Sequence, residues 1–263
     1  MQTILSHCGR NLDASGGYVN VPPYEGSTIL HDDMEDLFGR VDNHLYGDGT
    51  AQTYGTDGGP THEAFYDAMN KLEGGVGTWA FSTGLAGCTI PMMAFLKTGD
   101  HMLVTDSVYG PTRQFCEVLL KNFGVEAEFY EPTIGTGIER LIRPNTRLIY
   151  MESPGTHTFE MQDVPAIAAV ARRHDVVTMI DNTYATPINF QPLKHGVDVV
   201  VHSATKYICG HSDVLMSTVT CNEKTWRQVR SVCKMTGQYA SAQSVYLGLR
   251  GLHTLKVRLD AVG

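Results

Sequence analysis

Seven short apolar runs punctuate the chain beyond Thr61: VGTWAFS, HMLVTD, VEAEFY, RLIYMES, VVTMID, VDVVVHS and VLMSTVTC. Each is rich in β-branched and aromatic residues and is bounded by glycines or polar residues, which predicts a buried strand. Stretches of helical period lie between several of them, among them PTRQFCEVLLKNFG and DVPAIAAVARRHD. Ahead of the first run, THEAFYDAMNKLEGG sets Phe65, Ala68, Met69 and Leu72 on one helical face, and Gly74-Gly75 supplies a stop. After Thr220 the pattern is mostly helical, from NEKTWRQVRSVCKM through SAQSVYLGLRGLHTLKVRLDAVG. Strands alternating with helices predict an α/β fold with a mostly parallel central sheet covered on both faces. Such sheets take ligands at the carboxyl ends of their strands.

Residues 1–60 lack this pattern. GGYVNVPPYEGST and GDGTAQTYGTDGGPT are turn-forming strings, and a segment of this kind is expected to be irregular and to build no core. The interspersed Tyr18, Tyr24, Tyr46 and Tyr54 favour an ordered arm laid on a partner subunit, because disordered leaders are poor in aromatics. The 263 residues, 42% hydrophobic and 18% charged, are enough for one large core. A net charge of -8 without any basic run argues against nucleic acid. The six cysteines form no CxxC pair, so free thiols are expected. No run is long enough to span a membrane, and no leader-like apolar stretch opens the chain. A cytoplasmic protein is the expectation.

Two charges end two of the apolar runs. Asp181 closes VVTMID, and Lys206 follows VDVVVHS within HSATKY. Burying either without a partner is costly. A buried lysine has a lowered pKa and becomes a usable nucleophile or base. If the two strands are neighbours, both groups face one pocket, and pyridoxal phosphate (PLP) uses such a pair: a lysine for its Schiff base and an acid beside its pyridine nitrogen. A plain Asp–Lys ion pair is the structural alternative. Upstream, FSTGLAGCTIPMMAFL reads as a small-residue turn opening a helix. The N–H groups of Gly84 and Leu85 could cradle a phosphate there, with hydroxyls of Ser203 and Thr205 added from the other strand. Tyr109, after HMLVTD, could stack on a flat ring and handle a proton, or simply be a half-buried core tyrosine. The eleven histidines form neither HExxH nor a Cys/His cluster, and GDGT and GTDGG lack the acids of a calcium loop, so no metal is expected.

Together, STGLAG, DSVYGP, ESPGT, MIDNTYATP and HSATKYICGHSD resemble the Cys/Met-metabolism family of PLP-dependent enzymes, in order and spacing along residues 1–263. EGSTIL and THEAFYDAMNKLEGG look like that family's N-terminal half, and ESPGT and GHSDVLMSTV look most like its bacterial-type cystathionine β-lyase branch. The resemblance implies an aspartate-aminotransferase-like (fold type I) PLP-binding domain over residues 61–245, preceded by an arm over 1–60 that contacts a neighbouring subunit. It implies Lys206 as the Schiff-base lysine, Asp181 on the pyridine nitrogen, Tyr109 stacked on the ring, Thr183 near the ring, and the phosphate on Gly84, Leu85, Ser203 and Thr205. Tyr54 matches a tyrosine that reaches the neighbouring subunit's phosphate, which implies a homo-oligomer, a dimer of dimers. The implied activity is a carbon–sulfur β-lyase of methionine biosynthesis (transsulfuration), cleaving cystathionine or a related cysteine S-conjugate to a thiol, pyruvate and ammonia. A γ-acting relative and an inactive binding subunit are the alternatives.

Two departures qualify the resemblance. An arginine that usually follows the arm tyrosine and touches phosphate is here Thr56. The family's smaller C-terminal domain, which carries a carboxylate-gripping arginine, is expected to be missing, so that 246–263 only begin the connection to it. A shortened chain, a partial sequence and a natural short form all fit that expectation.

Overall fold

The computed structural model of the chain describes residues 2–10, 15–46 and 51–262. All seven apolar runs form strands: β1 (Gly77–Phe81), β2 (His101–Thr105), β3 (Glu126–Tyr130), β4 (Thr146–Glu152), β5 (Val177–Asp181), β6 (Val199–His202) and β7 (Ser217–Cys221). They make one sheet in the order β1-β7-β6-β5-β4-β2-β3. The pairs β2–β3, β2–β4, β4–β5 and β5–β6 are parallel, and β7 runs antiparallel to both neighbours. With only β7 reversed, the carboxyl ends of β1, β2, β4, β5 and β6 share one edge, and the start of β7 lies there too.

Continuous burial explains why the runs do not alternate. In β2 every residue is buried, and in β4 all but Arg147 are, because helices cover both faces. The edge strand β3 is half-exposed, and Arg143 ties down its outward Glu126 and Glu128, a charged edge that discourages further pairing.

In chain order the helices are α1 (Gln2–His7), α2 (Met34–Tyr46), α3 (Pro60–Glu73), α4 (Gly84–Thr89), α5 (Gly110–Gln114), α6 (Val164–Arg173), α7 (Thr186–Asn189), α8 (Glu223–Met235), α9 (Ala242–Leu252) and α10 (Leu255–Val262). Helix α3 starts with proline at its first turn and stops at Gly74, whose φ of 80° is left-handed, as the sequence pattern predicts. Helix α5 continues as a π turn over Phe115–Leu120. One core layer joins α1, α3 and α9 through Leu5, Phe65, Met69, Leu249 and Leu252. A second lies on the opposite face, where Trp79, Met92, Val104, Tyr150 and Val229 meet.

Three expectations change. The N-terminal segment is not wholly irregular, since α1 and α2 fall within it. Asp33 caps the latter through the N–H of Asp36 at 2.8 Å, and Arg40 pairs with Asp36. Nor is the segment coreless, because Leu5, Cys8 and Val21 are buried against α3 and α9. Glycine and proline strings mark turns but do not report the amphipathic pieces between them. The boundary expected after residue 245 falls inside α9, which packs its buried Val245, Leu249 and Leu252 onto the same core. The turn expected at GDGT and the side chain of Tyr46 lie outside the described residues. All six cysteines are free and buried.

Candidate functional site

The shared carboxyl edge brings most of the singled-out residues together. Asp181 is the last residue of β5 and only 7% exposed. Its Oδ1 accepts the backbone N–H of Thr183 at 2.9 Å and the Thr183 hydroxyl, while the Cys88 thiol lies 3.5 Å from Oδ2. Thr183 in turn accepts the N–H of Ser203 at 2.7 Å, so one hydroxyl ties the end of β5 to the turn after β6.

The turn after β6 carries Lys206. Its N–H donates to the Ser203 carbonyl at 2.9 Å, and its carbonyl accepts from Gly210 at 2.8 Å, which coils residues 203–210 tightly. The lysine side chain is exposed, against the expectation of a buried amine. The turn lifts it off the strand, while its neighbours Ala204, Ile208 and Cys209 stay buried. The alternative Asp181–Lys206 ion pair is not formed among the described residues.

Helix α4 begins directly after β1. The hydroxyl of Thr83 caps it by accepting the Ala86 N–H. The first N–H groups of a helix have no internal acceptor, so those of Gly84 and Leu85 are left for an outside one. Gly84 is required by packing: a Cβ there would lie 2.7 Å from the Ser203 hydroxyl oxygen. Gly87 is required one turn later, where a Cβ would meet Ser217 Oγ at 2.3 Å. The Ser217 hydroxyl donates to the Thr83 carbonyl at 2.7 Å and locks α4 onto β7. Thr205 departs from its expected donor role. Its hydroxyl donates to the Val214 carbonyl at 2.8 Å and accepts the Met216 N–H at 2.9 Å, so that proton is committed within the 205–216 loop.

Tyr109 stands just ahead of α5, in the loop after β2, without capping it through its side chain, and is 44% exposed, not a core tyrosine. Its backbone N–H donates to Glu152 Oε2 at 2.8 Å. Glu152 ends β4, stands in register with Asp181, and accepts a hydrogen bond from the Thr156 hydroxyl. Burial, and then the negative charge of Asp181, push its carboxyl up to about 8. Burial likewise drives the Cys88 thiol and the Tyr150 phenol far above their ordinary values. Glu152, within ESPGT, carries the same sequence signal as Asp181, an acid closing a buried apolar run, though it is not among the expected site residues.

Tyr54 stands apart. It is 51% exposed, and no contact among the described residues joins it to this cluster. Asp57 holds the surrounding loop by accepting from the N–H and hydroxyl of Thr53 and pairing with Lys234 at 3.1 Å. Among the described residues no group of His, Cys, Asp and Glu gathers in a way that could hold a metal ion, and no helix is long and apolar enough to cross a membrane.

The family model described as "Cys/Met metabolism PLP-dependent enzyme" matches residues 2–262. A relative from Rhizobium johnstonii is 46% identical over 260 residues, covering 99% of this chain and 64% of its own length. The Escherichia coli protein named cystathionine beta-lyase MetC is 38% identical over 98% of this chain and 65% of its own. Among solved structures, cystathionine gamma-lyase from Lactobacillus plantarum, complexed with L-serine, superposes with a TM-score of 0.87 at 32% identity, covering 97% of this chain and 64% of that one. The chain thus spans a little under two thirds of the length of these relatives.

Proposed function

Given that the chain belongs to the Cys/Met metabolism PLP-dependent enzyme family, we propose that it is a carbon–sulfur β-lyase acting on cystathionine or a related cysteine S-conjugate. The observation that carries the reading is the 38% identity, over nearly the whole chain, to a protein named cystathionine beta-lyase. The donor set fits the cofactor in kind. A buried, three-donor carboxylate ends β5, an exposed amine lies in the turn after the neighbouring β6, and a helix start with no Cβ at Gly84 lies beside the Ser203 hydroxyl. Bound PLP would supply an electron sink for the pair left behind when a proton leaves the substrate Cα.

In this proposal Lys206 Nζ anchors the cofactor carbonyl, and Asp181 keeps the pyridine nitrogen protonated. The N–H groups of Gly84 and Leu85, with the Ser203 hydroxyl, hold the phosphate, and Tyr109 covers the ring. Once the substrate's own amine has displaced Lys206 from that carbonyl, the freed Lys206 amine would take the Cα proton. As the Cβ–S bond breaks, Tyr109 or the Lys206 ammonium returns a proton to sulfur, and one water hydrolyses the three-carbon remainder to pyruvate and ammonia. We further propose a homo-oligomer in which Tyr54 reaches a neighbouring subunit's phosphate.

Product analysis tests the reaction. β-Cleavage of cystathionine gives homocysteine, pyruvate and ammonia, whereas cysteine, 2-oxobutyrate and ammonia would replace this assignment with γ-cleavage. The Lactobacillus plantarum likeness motivates that second reading. A visible absorption band of the purified protein that borohydride bleaches supports a cofactor enzyme. Its absence after incubation with PLP would leave the binding-subunit alternative standing.

A further inference from the structure

Two carboxyl groups end adjacent strands side by side. Glu152 and Asp181 are paired in register and are 8% and 7% exposed. Among the described residues no lysine or arginine forms an ion pair with either. Two like charges at such a spacing in a poorly solvated site are strongly unfavourable, so one group keeps a proton. Donor chemistry decides which. Asp181 receives the Thr183 N–H, the Thr183 hydroxyl and the Cys88 thiol. Glu152 receives the Tyr109 N–H at 2.8 Å and the Thr156 hydroxyl, while the Thr156 N–H, which also faces it, is held by the Ser107 carbonyl at 2.9 Å. A hydroxyl can accept as readily as donate, so the Thr156 hydroxyl can turn and let the Glu152 oxygen it faces carry hydrogen, whereas the Thr183 oxygen already accepts the Ser203 N–H at 2.7 Å and leaves its hydrogen for Asp181.

We infer that Glu152 carries the proton of this pair at neutral pH and acts as an uncharged positioning residue that fixes Tyr109 at the sheet edge. The groups facing it are Asp181 from β5, Cys88 from α4, Tyr150 on its own strand and Tyr109 from the loop after β2. Burial keeps the Cys88 thiol and Tyr150 phenol neutral, and the same burial, with the Asp181 charge, pushes the Glu152 carboxyl to about 8. The arrangement ties the Tyr109 backbone to β4 without adding a second charge beside Asp181. Its bearing on the cofactor rests on the function proposed above; the protonation does not.

The experiment compares wild type, E152Q and E152A. The first readout is thermal melting of the cofactor-free protein between pH 5 and 9. A proton held more tightly in the folded state makes folding favourable below the unfolded value of 4.5 and less so as pH rises through about 8. The Tm of wild type should therefore fall relative to that of E152Q between pH 5 and 8 and level off above. A constant difference across the range would mean an ionised Glu152 and overturn the inference. The second readout is PLP affinity by fluorescence titration at pH 7. E152Q, which keeps an acceptor for Tyr109 without charge, should bind within about twofold of wild type, and E152A at least tenfold more weakly. E152Q as weak as E152A would show that the charge is needed and would also overturn it. A wild type that takes up no PLP overturns the proposed function instead, while the melting series still decides the proton.

Discussion

Lys206 and Asp181 carry opposite requirements. The proposed reaction needs the amine to reach solvent and substrate, and the turn of residues 203–210 lifts it clear; the acid is buried, and Thr183 and Cys88 surround it with donors. Lys206→Ala should abolish the adduct that borohydride fixes on wild type while the protein stays folded by circular dichroism. Peptide mapping after reduction should find the pyridoxyl group on Lys206; finding it on Lys194 or Lys234 would refute the assignment. Asp181→Asn should leave PLP bindable but slow Cα proton loss. A charge-assisted hydrogen bond contributes roughly 1.5–3 kcal/mol, so the loss should be about ten- to a hundredfold, read as solvent exchange of the substrate α-hydrogen. Near-normal exchange would remove the role from Asp181.

At the scale of elements, the site depends on how closely α4 approaches the ends of β6 and β7. Gly84 and Gly87 permit that approach, and Ser203 and Ser217 occupy the space where their Cβ atoms would be. Gly84→Ala places a methyl 2.7 Å from the Ser203 hydroxyl oxygen, so helix or turn must give way. Overpacking of this kind costs roughly 1–3 kcal/mol, to be measured by urea unfolding of the cofactor-free protein. Phosphate affinity should fall with it, because the helix start and the serine are displaced together. Unchanged stability together with unchanged PLP affinity would mean that the cradle lies elsewhere. The small-residue string was legible as a turn before a helix. That it must be glycine at two positions follows only from the strand ends packed behind it.

For the whole molecule, the proposed oligomer would make the arm part of a neighbouring subunit's phosphate site. Thr56 is exposed next to Tyr54, and both Asp57 oxygens are engaged, by Thr53 and by Lys234. A guanidinium introduced at Thr56→Arg therefore meets an already occupied carboxylate. If the arm reaches a partner's phosphate, the substitution should tighten PLP binding by about one to two orders of magnitude, the worth of roughly 1.5–3 kcal/mol. Titration of apo-protein at matched oligomer concentration reads this out, with equal affinities counting against the deficit. The strands and their order of chemistry were determined by the sequence itself: seven apolar runs became seven strands, and Asp181, Lys206, Gly84 and Tyr109 were marked by where they close or follow those runs. Local pattern suffices there, since a buried strand must be apolar along its length and a charge at its end needs a reason. What the pattern could not decide depends on groups far apart in the chain. The exposure of Lys206, the loss of the Thr205 hydroxyl to Val214, and the meeting of Glu152 with Asp181 and Tyr109 arise only when β4, β5 and β6 lie side by side. So does the core made by Leu5 and Val21, because packing and hydrogen-bond competition are settled by neighbours in space.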